Sequence, residues 1–162
     1  MEENNVVVDE RMSDEELEKR FIGGKNPNKI YSKMKKRGSF NFAALLLTAW
    51  YFIYRKMYMA GIIIGVMIFT YLKILTILQD GSSLSPIIYS IAGILPLVAC
   101  GFMFYPLYNI HVNNKINSIK QSSKNNEELV EKIAKQGGTN LAIAILAFVL
   151  LALGTNIIET RI

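Results

Sequence analysis

Two adjacent cations, Arg55 and Lys56, stand between two apolar runs and are the residues best placed to do chemistry in this chain. A guanidinium beside an ammonium can clamp a phosphate, the first through its planar fork of N–H donors and the second as a point charge. Lys35, Lys36 and Arg37 lie upstream and can join them. The ligand class to expect is an anionic headgroup or an acidic partner surface. The same pair also reads as a topology anchor, because cations flanking apolar runs settle at headgroup level. His111 is the only histidine. With no ligating neighbour it makes no metal site, and it offers a hydrogen bond to Tyr108 or to a phosphate, or a pH-dependent charge. Lys73 is the one charge inside a long apolar run. It marks a transport or pairing site, or it snorkels outward toward Asp80. Gly61 and Gly65 have the spacing for close helix approach, either to a later helix through Ala142, Ala144 and Ala147 or to a second copy.

Catalysis finds no constellation. There is no Gly-x-Ser-x-Gly elbow and no His-Glu-x-x-His. Gly23-Gly24-Lys25 lacks the first glycine and the following Ser or Thr of a phosphate loop. Cys100 is the single cysteine. It can close no disulfide within the chain, and its apolar setting makes it a packing residue. The expectation is therefore a binding or anchoring protein, not an enzyme, with no cofactor or metal.

The elements that must position these residues follow from how charge is distributed. The chain has 162 residues, of which 51% are apolar, with 18 basic and 13 acidic residues. Of these 31 charges, 17 fall in positions 1–39, whereas 87–109 and 139–158 carry none. A soluble domain would spread its charge over every surface helix. Crossing a bilayer takes roughly 20 apolar residues. Met57–Leu78, Ile87–Asn109 and Thr139–Ile158 are long enough, while Phe40–Tyr54 reaches only about 22 Å as a helix. If Phe40–Tyr54 dips in or lies flat, 16 of the 18 basic residues share one side of the membrane. If it crosses, they are split. The positive-inside rule selects the first arrangement, with the N-terminus cytoplasmic. Met1-Glu2-Glu3-Asn4-Asn5 is acidic and polar where a secretory signal is basic and then apolar.

The fold class is thus an all-α integral membrane protein. It has three transmembrane helices, one short re-entrant or interfacial helix and cytoplasmic amphipathic helices. Residues 1–39 form a charged cytoplasmic segment, acidic and then basic. Ser13-Asp14-Glu15-Glu16 spells a capping box for a helix that Gly23-Gly24 end. A second short helix begins near Asn26-Pro27, with Ile30, Met34 and Tyr31 on its apolar face. Residues 40–54 are the dipping helix, and Trp50, Tyr51, Tyr54 and Tyr58 form an interfacial girdle around its end. Residues 57–109 are a two-span hairpin, with kinks expected at Pro96 and Pro106. Residues 110–138 are a cytoplasmic helical loop with Val112, Ile116 and Ile119 on one face. Residues 139–162 form the third span and an external tail.

Several motifs resemble a known family. Phe21-Ile22-Gly23 and Phe40-Asn41-Phe42-Ala43-Ala44 are followed by Tyr54-Arg55-Lys56-Met57-Tyr58 and a long apolar run, and then by Tyr108-Asn109-Ile110-His111-Val112. Over roughly residues 15–117 this resembles the bacterial membrane-protein family called domain of unknown function 2628. Thr48-Ala49 stand where that family has a Gly-Pro pair. The resemblance implies a small inner-membrane protein and no activity. The expected role is a multi-pass anchor in the cell membrane, with a basic cytoplasmic face for a partner protein or anionic lipid. The alternative is an accessory subunit of a transport or export system, with Lys73 and the proline-bearing span lining a path. A homo-oligomer fits either role. Residues 19–37 supply no base-reading module, so no nucleic acid partner is expected.

Overall fold

The computed structural model describes residues 12–80, 85–147 and 149. Every regular element among them is helical: α1 (Asp14–Ile22), α2 (Pro27–Lys35), α3 (Phe42–Leu47), α4 (Ala49–Tyr54), α5 (Tyr58–Asp80), α6 (Pro86–Ser122) and α7 (Asn126–Gln136). Residues 141–147 are also helical. Within the Thr139–Ile158 run, residues 148 and 150–158 lie outside the described residues, as do the acidic segment 1–11 and positions 81–84.

The short helices start and stop where their caps dictate. The Ser13 side chain accepts the Glu16 N–H at 3.3 Å, and the Glu16 carboxylate takes the Ser13 N–H at 3.0 Å. This reciprocal box satisfies two amides that a helix start leaves free. Gly23 ends α1 at φ +58, a conformation glycine adopts without a Cβ clash. Pro27 opens α2 at a position where its missing N–H costs nothing. Asn125 caps α7 by accepting the Glu128 N–H at 2.8 Å, and Asn140 caps the 141–147 helix by accepting the Ile143 N–H at 3.1 Å.

Two elements differ from the sequence expectation. Phe40–Tyr54 is not one short helix but two, α3 and α4, broken at Thr48, whose φ is +44 and ψ −125. Nor does α6 stop at Asn109. It runs on through the polar residues 110–122 as one helix of 37 residues and carries Pro96 and Pro106 within it. At 1.5 Å per residue that is about 55 Å, nearly twice a bilayer's hydrocarbon thickness. Val112, Ile116 and Ile119 explain the continuation. They carry the buried stripe of α6 onward from Phe104 and Tyr108.

The two halves of α6 have opposite surroundings. Beyond residue 100 it is wrapped by α1, α2, α3, α4 and α7, and the core collects around it: Leu17, Phe21, Met34, Phe52, Phe104, Tyr108 and Ile133. Before residue 100 it pairs with α5, and the Tyr71 hydroxyl donates to the Ala92 carbonyl at 3.0 Å. There Met59, Ile62, Val66, Met67, Ile77, Ile87 and Ile91 stay exposed. Both α5 and α6 are long and apolar enough to cross a membrane. The molecule is a helical hairpin capped at one end by a packed bundle of short helices.

Candidate functional site

The cap is organised by the turn between α4 and α5. Its backbone forms a Schellman motif: the Lys56 N–H bonds the Ile53 carbonyl and the Met57 N–H bonds the Phe52 carbonyl, each at 2.9 Å. Lys56 occupies the left-handed position at φ +62, where glycine is usual. Met57 and Phe52 are both buried in the core, which is the apolar contact this motif favours.

This geometry turns Arg55 inward. The residue is 7% exposed, and its Nη1 donates to the Ile22 carbonyl at the end of α1 at 3.3 Å. The guanidinium carbon lies 5.9 Å from the Tyr51 ring centroid, 6.0 Å from Tyr54 and 5.6 Å from Tyr108. Each ring offers its electron-rich face to the cation. Among the described residues no carboxylate pairs with it. Burial works against the charge, the facing tyrosines Tyr108, Tyr51 and Tyr54 work for it, and the net is a pKa raised above the ordinary arginine value. Tyr51 and Tyr54 thus face a buried cation, a role the girdle expectation did not contain.

Lys56 is committed to the chain as well. Its ammonium donates to the Gly137 carbonyl and, at 3.1 Å, to the Lys135 carbonyl. A cation there satisfies free carbonyls at the negative end of the α7 dipole. The backbone after α7 is stitched down beside it. Gly138 N–H bonds the Phe21 carbonyl at 2.7 Å, and Asn140 N–H bonds the Tyr54 carbonyl at 2.8 Å. A Cβ on Gly137 would collide with the main chain of Phe21, so this contact is backbone on backbone. Neither member of the Arg55-Lys56 pair is free to grip a ligand.

The upstream cations divide. The Lys35 ammonium lies 2.7 Å from Glu18 Oε2 and donates to Asn109 Oδ1 at 3.3 Å, tying α2 to α1 and α6. Glu18 is 9% exposed, so the pair is largely shielded from water. Lys36 and Arg37 are exposed, and among the described residues neither makes an ion pair. Lys33 reaches the other way, with its ammonium 6.0 Å from the Tyr105 ring.

The remaining candidates have their own places. His111 stacks on Tyr108 with centroids 6.5 Å apart and meets Phe21 edge-on at 6.1 Å. Burial and the nearby Lys115 charge lower its pKa below the ordinary imidazole value. Lys73 does not turn toward Asp80. Its ammonium sits 5.8 Å from the Phe69 ring, one turn back along α5, as the N-terminal tilt of helical side chains favours. Gly61 packs against α4, not against the last helix. A Cβ there would fall 2.6 Å from Ile53 Cγ1 and 3.0 Å from the Ala49 carbonyl oxygen, while one on Gly65 would meet Ala49 Cβ at an easy 3.4 Å.

The structure therefore brings Arg55, Lys56, His111 and Tyr108 into one hub and leaves Lys73 apart. Tyr51 and Tyr54, expected in an interfacial girdle, line the Arg55 hub instead, while Glu18 and Asn109, which hold Lys35, were not announced by the sequence. The only signal of the hub was a concentration of tyrosines near the one arginine between apolar runs. Among the described residues no three His, Cys, Asp or Glu side chains converge on a metal-sized space. The hub holds helices together, and Lys29, Lys36 and Arg37, on α2 and the turn after it, are among the exposed cations that make no ion pair among the described residues.

Comparison with curated proteins and with solved structures finds no match. The family model described as Protein of unknown function (DUF2628) matches residues 9–113. That span takes in the whole Arg55 cage and closes just past His111. It covers more than half of the sequence, and the chain belongs to this family.

Proposed function

We propose that this protein is a non-catalytic, multi-pass membrane anchor. Its cytoplasmic cap presents a basic surface to an acidic partner or to anionic lipid. The observation carrying this reading is the opposed environment of the two ends. The large apolar side chains of α5 and of residues 86–99 lie exposed in a chain that buries the same residue types fully at its other end. Exposed apolar surface on that scale is covered by a bilayer or a partner, and the lengths of α5 and α6 fit a bilayer. The basic residues 19–37, 55–56 and 115–135 belong to the cap or its approaches, which supports a cytoplasmic cap by the positive-inside rule.

In this arrangement α3 and α4 form the dip. Ala49 faces Gly65, seven residues into α5 from Tyr58. The break at Thr48 then sits about 10 Å below the inner surface, roughly a third of the hydrocarbon thickness. Asn41 N–H bonds the Gly101 carbonyl at 2.9 Å, and the Asn41 side chain caps α3 by accepting the Ala44 N–H at 3.0 Å. These bonds answer the requirement that backbone at membrane depth be satisfied within the protein.

Cysteine labelling in intact cells tests the arrangement. In a Cys100→Ala background, a membrane-impermeant maleimide should label Asp80→Cys from outside and leave Lys25→Cys and Asn125→Cys unlabelled until the cells are opened. Labelling of Asn125→Cys in intact cells would reverse the cap and remove the proposed cytoplasmic surface.

A further inference from the structure

Three cations of α2 and its C-terminal turn share a helical stripe: Lys29, Lys33 and Lys36 at i, i+4 and i+7. Lys35, off this stripe, is taken up by Glu18 and Asn109. Arg37 follows directly, in the turn that Gly38 makes at φ +72. The stripe is short of counter-charge. Asp14, Glu15 and Glu18 of α1 pair with Lys120, Lys19 and Lys35, and no acid occurs between Glu18 and Asp80.

Where the stripe faces is fixed by two contacts. The Lys33 ammonium lies over Tyr105, a turn nearer the apolar part of α6 than Tyr108. Arg37 precedes Phe40, whose ring packs edge-on to Phe102 at 4.8 Å and rests on Gly101, where any Cβ would strike it. Phe42 lies five positions after Arg37, a reach of at most about 17 Å. Phe42 and Leu46 of α3 then stand 71% and 78% exposed on the apolar side. The cations are thus followed within a few residues of chain by exposed apolar side chains, a pairing that fits a phosphate above and acyl chains below. A water-facing acidic peptide would use only the upper half.

We propose that Lys29, Lys33, Lys36 and Arg37 form a binding surface for the phosphate headgroups of anionic phospholipids, with α3 seated among the acyl chains beneath. The surface rests on the anchor reading above and gives its basic face a specific ligand class. It replaces Arg55 and Lys56 as the headgroup site.

The test uses the full chain in nanodiscs of phosphatidylcholine with 30 mol%, roughly a physiological anionic share, of phosphatidylglycerol. Electron paramagnetic resonance of spin-labelled lipids reports how strongly each headgroup is retained at the protein surface. The wild-type chain should prefer phosphatidylglycerol over phosphatidylcholine by about threefold or more. The K29Q/K33Q/K36Q/R37Q variant should fall to near unity, while K115Q/K124Q keeps the preference. Thermal unfolding and Trp50 emission in detergent should match between wild type and the quadruple variant, which separates loss of binding from loss of fold. No preference in the wild type, or an undiminished one in the quadruple variant, overturns the proposal and leaves the stripe to an acidic protein partner. Loss of the preference in millimolar inorganic phosphate at constant ionic strength would assign the site to a soluble anion instead. Failure of the wild-type chain to enter nanodiscs would refute the anchor reading itself.

Discussion

The guanidinium of Arg55 lies over the ring of Tyr108 with 5.6 Å between its central carbon and the ring centroid, and both residues are buried. One comes from the turn between α4 and α5, the other from the middle of α6. The contact therefore joins the end of α4 to the long helix, and the bond from Arg55 to Ile22 brings in α1. A delocalised planar cation suits such a cage, because it is more weakly hydrated than an ammonium and can stack against several rings.

Arg55→Lys should accordingly behave as a damaging substitution. The shorter fork-free side chain loses ring contact and aim toward the Ile22 carbonyl, at a cost of about 2 kcal/mol. Arg55→Met, which removes the charge but keeps some bulk, should cost about the same or less, because no buried charge is left poorly placed. Chemical denaturation in detergent micelles measures both. Equal stability of wild type and Arg55→Lys would show that any cation serves.

Gly61 and Gly65 should respond differently to alanine. At Gly61 the added carbon meets α4 backbone and Ile53, and forcing them apart should cost about 1–3 kcal/mol. At Gly65 the contact is an ordinary one, and the change should stay within about 0.5 kcal/mol. Melting temperatures of the two variants decide. A matching loss at both, with a shift in oligomeric state, would point instead to a dimer seam.

Thr48 holds a left-handed φ without being glycine, and strain of this kind costs of order 1–3 kcal/mol. Thr48→Gly should therefore stabilise the protein, by about 1 kcal/mol after the added freedom of the unfolded chain is counted. Ala49→Pro should be tolerated in that background, since residue 49 opens α4. Thermal unfolding of the single and double variants checks this, and a destabilised Thr48→Gly would disprove the strain.

His111 has a folded pKa below its unfolded value, through burial first and Lys115 second. As pH falls, the unfolded chain therefore takes up the proton before the folded one does. The contribution of His111 to stability is full above about pH 6.5 and declines below it, levelling once pH passes the folded pKa. The difference in unfolding midpoint between wild type and His111→Phe should shrink from pH 7.5 to pH 5.5. A constant difference would show that the ring titrates alike in both states.

Much of the architecture could be read from local signals. The Ser13–Glu16 box, the glycine stop at 23 and Pro27 act within a few residues, so sequence spacing exposes them. The break at Thr48 did not show, because neither Thr48 nor Ala49 is a residue that breaks a helix by its own chemistry. Tertiary contact imposes the break: Gly61 draws α4 against α5 while Asn41 pins α3 to α6. The continuity of α6 was hidden in the same way. The helical character of residues 110–122 and the shared face of Val112, Ile116 and Ile119 were readable from their spacing, but their union with the apolar half into one helix rests on a core supplied by helices far away in sequence. The Arg55 cage was the least legible feature. A cation between apolar runs has the same sequence signature whether it faces a headgroup or a ring of tyrosines, and only the Schellman turn decides which.

The strand of backbone after α7, bonded to Phe21 and Tyr54, sets an order of events during synthesis. Its partners are translated more than eighty residues earlier, so α1 and α4 must wait for it. Until Asn140 has left the ribosome, the carbonyl of Phe21 lacks its Gly138 donor and Lys56 has no helix end to cap. These bonds are therefore among the last in the cap that synthesis makes possible. A truncation before Gly137 would accordingly leave the earlier helices assembled but unlatched.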